Sequence, residues 1–239
     1  MQNLNLNKEF IVDPVKLSRY LSEYNQGIKN CLRKLDSFEF DVFTLKRFSS
    51  GKELLILGYE IAKAHGLIEA NQISKFVYLS FLQGISQGYN NVAYHSKTHA
   101  ADVLQGLNYF LKAGRFQTLL KLTPVEHVAS IVAAISHDLD HPGFNNVFLV
   151  NTKDEIALLY NDQSVLENHH VAQTFLLLRQ DELNIFKRFS PKDYTRAREI
   201  MIKMVISTDM FYHGANMQQM QRLIDKLRSD PEETASNNQ

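Results

Sequence analysis

A single cysteine, Cys31, stands in 239 residues, so no disulfide can close within the chain, and a reducing compartment suits it. On its helical spacing Cys31 reads as a half-buried packing residue. Excess charge of either sign is missing too. The 26 basic side chains balance 26 acidic ones, which excludes a bulk field that would gather nucleic acid or an anionic membrane. Any anionic ligand must be attracted locally. No apolar run approaches the roughly 20 residues that span a bilayer, and Met1 to Glu9 is polar and Asn-rich without the apolar stretch of a leader. The expectation is a cytoplasmic protein with no membrane span and no nucleic-acid partner. Proline is scarce, five in all, strand-like alternation is sparse, and there are neither internal repeats nor low-complexity linkers. These absences leave an all-α bundle as the expected fold.

Helix signals fill the chain. Asp13-Pro14 offers a cap and a first-turn proline, and Leu17, Tyr20, Leu21, Tyr24 and Ile28 recur as one buried stripe would. Phe38 to Phe48 reads as a loop or brief helical turns. Ser50 with Glu53, and Ser164 with Glu167, have the spacing of capping boxes. The first opens a helix running to His65, with Gly66 as a left-handed stop. A helix from Ile73 is expected to stop within Gly84 to Gly88. Val103, Leu107, Phe110 and Leu111 should form the core side of the next one. Thr123-Pro124-Val125-Glu126 combines cap, proline and reciprocal glutamate, a strong start for a helix ending at His137-Asp138. Ser190-Pro191 opens another, reaching Thr208-Asp209, and after a glycine break Met217 to Leu227 is the last. His65 and His127 read as helix-surface or helix-end residues, His169 and His170 as packing or hydrogen-bonding ones.

The chemistry concentrates in Ser136-His137-Asp138-Leu139-Asp140-His141-Pro142-Gly143. Two histidines and two aspartates directly follow the apolar run Val128 to Ile135, and ionisable groups at the end of a core helix need partners, for which a metal ion is the simplest. Upstream, Tyr94-His95-Ser96-Lys97-Thr98-His99 places two histidines at i and i+4, a shared face if both are helical. Imidazole and carboxylate suit zinc, manganese, magnesium or iron, and the lack of cysteine argues against a structural zinc knuckle. One His from one segment and a His-Asp pair from another, with positions left for water, describe a hydrolytic centre. Asp138 is placed to bridge two cations. His95, an imidazole beside the centre, suits proton donation to a leaving alkoxide.

Tyr94-His95-x-x-x-His99-Ala100-Ala101-Asp102-Val103 and His137-Asp138-x-Asp140-His141-Pro142-Gly143-x-x-Asn146 resemble the catalytic domain of class I cyclic nucleotide phosphodiesterases, members of the HD superfamily. Tyr160-Asn161-Asp162-x-Ser164-Val165-Leu166-Glu167-Asn168-His169-His170 and Thr208-Asp209-Met210-x-x-His213 resemble it too. The resemblance runs from about Leu35 to Leu227. It implies a compact multi-helix bundle that hydrolyses 3′,5′-cyclic nucleotides, cAMP or cGMP, to 5′-monophosphates with two divalent ions, Zn²⁺ and Mg²⁺ or Mn²⁺. It makes His99, His137 and Asp138 metal ligands and His95 the donor to O3′. His141, Glu167 and Thr208 would orient waters and imidazoles, and Tyr94, Asn146 and Met210 would line the nucleotide pocket. Residues 1–34 would be an N-terminal helical segment, 35–228 the catalytic domain and 229–239 a disordered tail. Two departures stand out. Ser96 replaces the asparagine that usually follows the donor histidine, and the family's further metal-binding Asp, purine-binding Gln and aromatic clamp belong to helices after the last one here, so the expectation is a domain missing its last helices. A catalytically impaired binding module and another HD-type phosphohydrolase remain as alternatives.

Overall fold

The computed structural model describes residues 12–229. The polar start and all but the first residue of the expected tail therefore lie outside the described residues. Among the described residues there are helices and no strand. In chain order they are α1 (Pro14–Ser22), α2 (Gln26–Leu32), α3 (Val42–Ser49), α4 (Glu53–Ala64), α5 (Leu67–Ala70), α6 (Lys75–Gly88), α7 (Lys97–Lys112) and α8 (Phe116–Leu119). There follow α9 (Pro124–Ser136), α10 (Asn146–Asn151), α11 (Glu155–Leu159), α12 (Val165–Leu178), α13 (Pro191–Ile206), a 3₁₀ turn (Met210–Tyr212) and α14 (His213–Ser229). No helix among the described residues is long and apolar enough to cross a membrane.

Helix α9 is the axle. Every residue from His127 to Ser136 is buried, as a helix apolar on all sides must be, and α4, α5, α7, α12 and α13 pack around it. Its start is the expected capping box, the Thr123 hydroxyl accepting from Glu126 N–H while the Glu126 carboxylate accepts from Thr123 N–H. Leu17, Leu21 and Ile28 of the first two helices enter the same core as α9. A smaller cluster, Leu149, Ala157, Val165 and Leu166, fastens α10 and α11 to the start of α12.

Several local expectations yield to the backbone. The stripe from Leu17 to Ile28 is two helices, because the chain breaks at Glu23 and Asn25 recaps it by accepting from Ile28 N–H. Ser50 and Ser164 open no capping box. Both are left-handed, at φ 53° and 40°, whereas a capping serine needs extended backbone. Ser164 instead donates to Asp209, and Glu53 turns inward. Helix α6, by contrast, stops within the expected Gly84–Gly88 stretch, at Gly88, after passing Gly84, where Leu177 and Leu183 press close. On α7 the buried side is Ala100, Ala101, Leu104, Gln105, Asn108 and Leu111, with Phe110 exposed. His127 is buried, 2% exposed, and its ring meets that of His65 edge to face. Helix α14 starts at His213 and carries Gly214 inside it; its described side chains are exposed.

Candidate metal centre

Three helix ends converge. The first turn of α7 delivers His99, the C-terminus of α9 delivers His137 and Asp138, and the first turns of α12 deliver Glu167 and His170. Pro142 and the left-handed Gly143, φ 92°, turn the chain away directly after the cluster, a conformation in which a side chain would be strained.

His99 Nε2 lies 3.3 Å from His137 Nε2. The Asp138 Oδ2 atom is 3.5 Å from the first and 3.2 Å from the second. These atoms are the one compact His/Asp ligand set among the described residues. Ligands about 2.05 Å from a tetrahedral ion sit about 3.3 Å apart, so the triangle already has the edges a divalent ion requires. The tautomers agree with it. His137 Nδ1–H donates to the Ala134 carbonyl at 2.9 Å, which leaves the Nε2 lone pair facing the triangle. Asp138 Oδ2 is buried and, although close to both imidazoles, is aligned for a hydrogen bond with neither. The donor set therefore fits a divalent cation.

Electrostatics point the same way. Burial alone would raise the Asp138 carboxyl, but contact with His137, then the charges of His170 and His95, hold it well below the usual carboxylate range. Burial would lower His137; its contact with Asp138 outweighs that and raises it. His99 is lowered, by burial first and by His137 second. A divalent ion bound at the triangle would offset the Asp138 charge.

Around this triangle the remaining groups are ordered by hydrogen bonds. His141 Nδ1 accepts from Gly143 N–H at 2.9 Å, so the proton of the neutral ring sits on Nε2. Burial and the neighbouring His95 push this imidazole down to about 4. The His95 ring stacks on it, centroids 4.0 Å apart and 13° from parallel. His95 is not on α7, which begins at Lys97; it lies in the preceding turn, so the expected helical face shared with His99 is absent even though the rings are 5.9 Å apart. Glu167 accepts from the Asn146 side-chain amide at 2.9 Å, and burial raises its carboxyl. Asn146 also accepts from Leu166 N–H, so both its polar atoms are engaged.

A cavity of about 1080 Å³ opens over the centre and is lined by His95, His99, His137, Asp138, His141, Asn146, Glu167, Thr208 and Met210. Tyr94 is not among its lining residues; it is exposed and leans on the His99 ring. Three residues given no site role by their sequence context join the cavity. His170 donates from Nδ1 to the Leu139 carbonyl and turns Nε2 towards Asp138 Oδ1, 3.8 Å away. Asp209 caps the 3₁₀ turn and holds Ser164. Phe144 lies at the rim and stacks on Phe148. The tandem His169-His170 within a polar helix start was the signal for the first; nothing local marked Phe144. A second cavity of about 890 Å³ lies between the starts of α9 and α13 and contains none of these histidines.

Fold and site together define an all-helical protein with a His-His-Asp centre suited to a divalent metal. The family model for 3′5′-cyclic nucleotide phosphodiesterase matches residues 94–239, and the chain belongs to that family. A dual specificity calcium/calmodulin-dependent 3′,5′-cyclic nucleotide phosphodiesterase 1B of Cricetulus griseus is 37% identical over 206 residues, 85% of this chain and 38% of the relative. The dual specificity calcium/calmodulin-dependent 3′,5′-cyclic nucleotide phosphodiesterase 1 of Drosophila melanogaster is 37% identical over 87% of this chain and 25% of its own length. The high affinity cAMP-specific and IBMX-insensitive 3′,5′-cyclic phosphodiesterase 8A of Homo sapiens is 34% identical over 97% of this chain and 28% of its own. The chain thus spans well under half the length of these curated relatives.

Proposed function

We propose that this chain carries the metal-binding core of a hydrolase that opens 3′,5′-cyclic nucleotides, cAMP or cGMP, to 5′-monophosphates. The observation that carries the reading is the triangle of His99 Nε2, His137 Nε2 and Asp138 Oδ2, with edges of 3.3, 3.5 and 3.2 Å. These three residues would hold one divalent ion, Zn²⁺ by the nitrogen-rich donor set, and Asp138 would be shared with a second, Mg²⁺ or Mn²⁺. Such ions lower the pKa of water towards neutrality and offset phosphate charge.

The chain's own side chains do the rest. Water oxygen joins phosphorus as the P–O3′ bond breaks, and His95 supplies the proton that O3′ takes up. Stacking on His141 holds the His95 ring. His141, through its Nε2–H, and Glu167 and Thr208 at the cavity wall orient water. Asn146 and Met210 face the nucleotide, with Tyr94 supporting His99 from outside. Residues 35–228 act as the catalytic part of the chain, with α1 and α2 preceding it.

The test is release of 5′-AMP or 5′-GMP from the cyclic substrate by the purified chain. Activity should vanish with chelator and return with Zn²⁺ plus Mg²⁺. His95→Ala should abolish turnover while metal content by elemental analysis stays at the parental level, and His99→Ala should lose the metal as well. Absence of metal from the parental chain after reconstitution would refute the proposal.

A further inference from the structure

Glu53 is fully buried on the first turn of α4. One carboxylate oxygen accepts the Thr98 hydroxyl at 2.7 Å; the other, Oε2, is out of reach of water and meets no hydrogen-bond donor. A carboxylate buried against one neutral hydroxyl is a poor source of stability, and an apolar side chain of similar volume often serves better. Its position supplies another reason for it. Thr98 lies in the first turn of α7, immediately before His99, and Ser96 gives that helix no side-chain cap. The N-termini of α4 and α7 both meet at Glu53, and their positive ends favour a negative charge there.

The buried apolar side chains nearest this turn are small. The next buried residues of α7 are Ala100 and Ala101, whose small side chains offer no ridge to key against α4. Rotation matters at the metal centre. An imidazole Nε2 lies about 6–7 Å from its helix axis, so a 10° turn moves it about 1 Å, against a tolerance of about 0.2 Å in a metal–ligand distance.

We propose that Glu53, acting through Thr98, is a positioning residue that sets the rotation of the first turn of α7 and hence the place of His99 Nε2 in the metal centre. The inference rests on reading His99 as a metal ligand. It adds a residue outside the cavity to the support of the site.

The experiment compares Thr98→Val, Thr98→Ser, Glu53→Leu and the parent in two measurements: Zn²⁺ dissociation constants by competition with a chromophoric chelator, and the rate of His99 carbethoxylation by diethylpyrocarbonate in metal-free protein, read by peptide mass. Thr98→Val and Glu53→Leu should weaken Zn²⁺ binding about 10- to 100-fold and speed His99 modification, while Thr98→Ser, which keeps the hydroxyl, stays at the parental values. Glu53→Leu puts an apolar side chain of similar volume at this buried position, and its weakened metal binding at undiminished urea resistance separates positioning from general stability. Parental Zn²⁺ affinity in Glu53→Leu, or equal losses in Thr98→Ser and Thr98→Val, would overturn the proposal. If the parent binds no Zn²⁺, the metal reading fails by itself. The metal-free modification rates then decide, an unchanged rate in Glu53→Leu refuting the positioning role and a raised one supporting it.

Discussion

Replacing His127 by leucine should make the protein markedly less acid-labile. His127 lies on α9, at the opposite end from the metal centre, 2% exposed, and its Nε2 is buried without a partner. Burial first, and the charge of His65 second, lower its imidazole to about 4, against an ordinary value near 6.5. The unfolded chain therefore takes up this proton before the folded one does. Stability is lost as pH falls below about 6.5, and the loss is complete below about 4. Linkage arithmetic gives about 2.5 kcal/mol at pH 4.5 relative to pH 8. His141 and His170, lowered to about 4 and about 3, lose stability in an overlapping range, as do the carboxylates, but they are common to parent and variant and cancel in the difference. His65 keeps its links to Asn108 and Gln117 in both. The assay is urea unfolding followed by helical circular dichroism at half-unit steps from pH 8 to 4.5. The parent should lose about 2.5 kcal/mol more than His127→Leu across that range. Equal losses, within about 0.5 kcal/mol of each other, would refute the reasoning, because they would mean that the folded protein protonates this ring as easily as the unfolded chain does.

Other outcomes follow from the same packing. Thr123→Ala removes the capping box of α9 and should cost about 1 kcal/mol in urea unfolding, whereas Arg196→Ala, which deletes the half-exposed partner of Glu126, should cost less than that. Gly88→Ala would place a methyl 2.7 Å from Leu139 Cδ1; a loss of about 1–3 kcal/mol is expected, partly relieved by adding Leu139→Ala. Tyr78→Phe removes the buried hydroxyl that donates to the Gly58 carbonyl at 2.9 Å, a second bond to a carbonyl within α4, so thermal unfolding should reveal a loss of about 0.5–1.5 kcal/mol.

What the sequence by itself determined was local. The start of α9 was legible because cap, proline and glutamate act within one turn, and its end was legible because Pro142 bars continuation two residues after Asp140. The candidate donor set was partly legible for the same reason: His137 and Asp138 are adjacent, and only His99 had to be brought from elsewhere. Tertiary structure decided what depends on distant neighbours. Ser50 and Ser164 have the spacing of caps, but Ser50 is the left-handed end of α3 and Ser164 enters α12 in a left-handed conformation. His127 has the polarity of a surface residue and is buried, its ring against that of His65 at the end of α4. The stacking of His95 on His141 and the turning of Glu53 towards Thr98 join residues 46 and 45 positions apart. No periodicity records such pairings, since they arise only when separate helices are packed together.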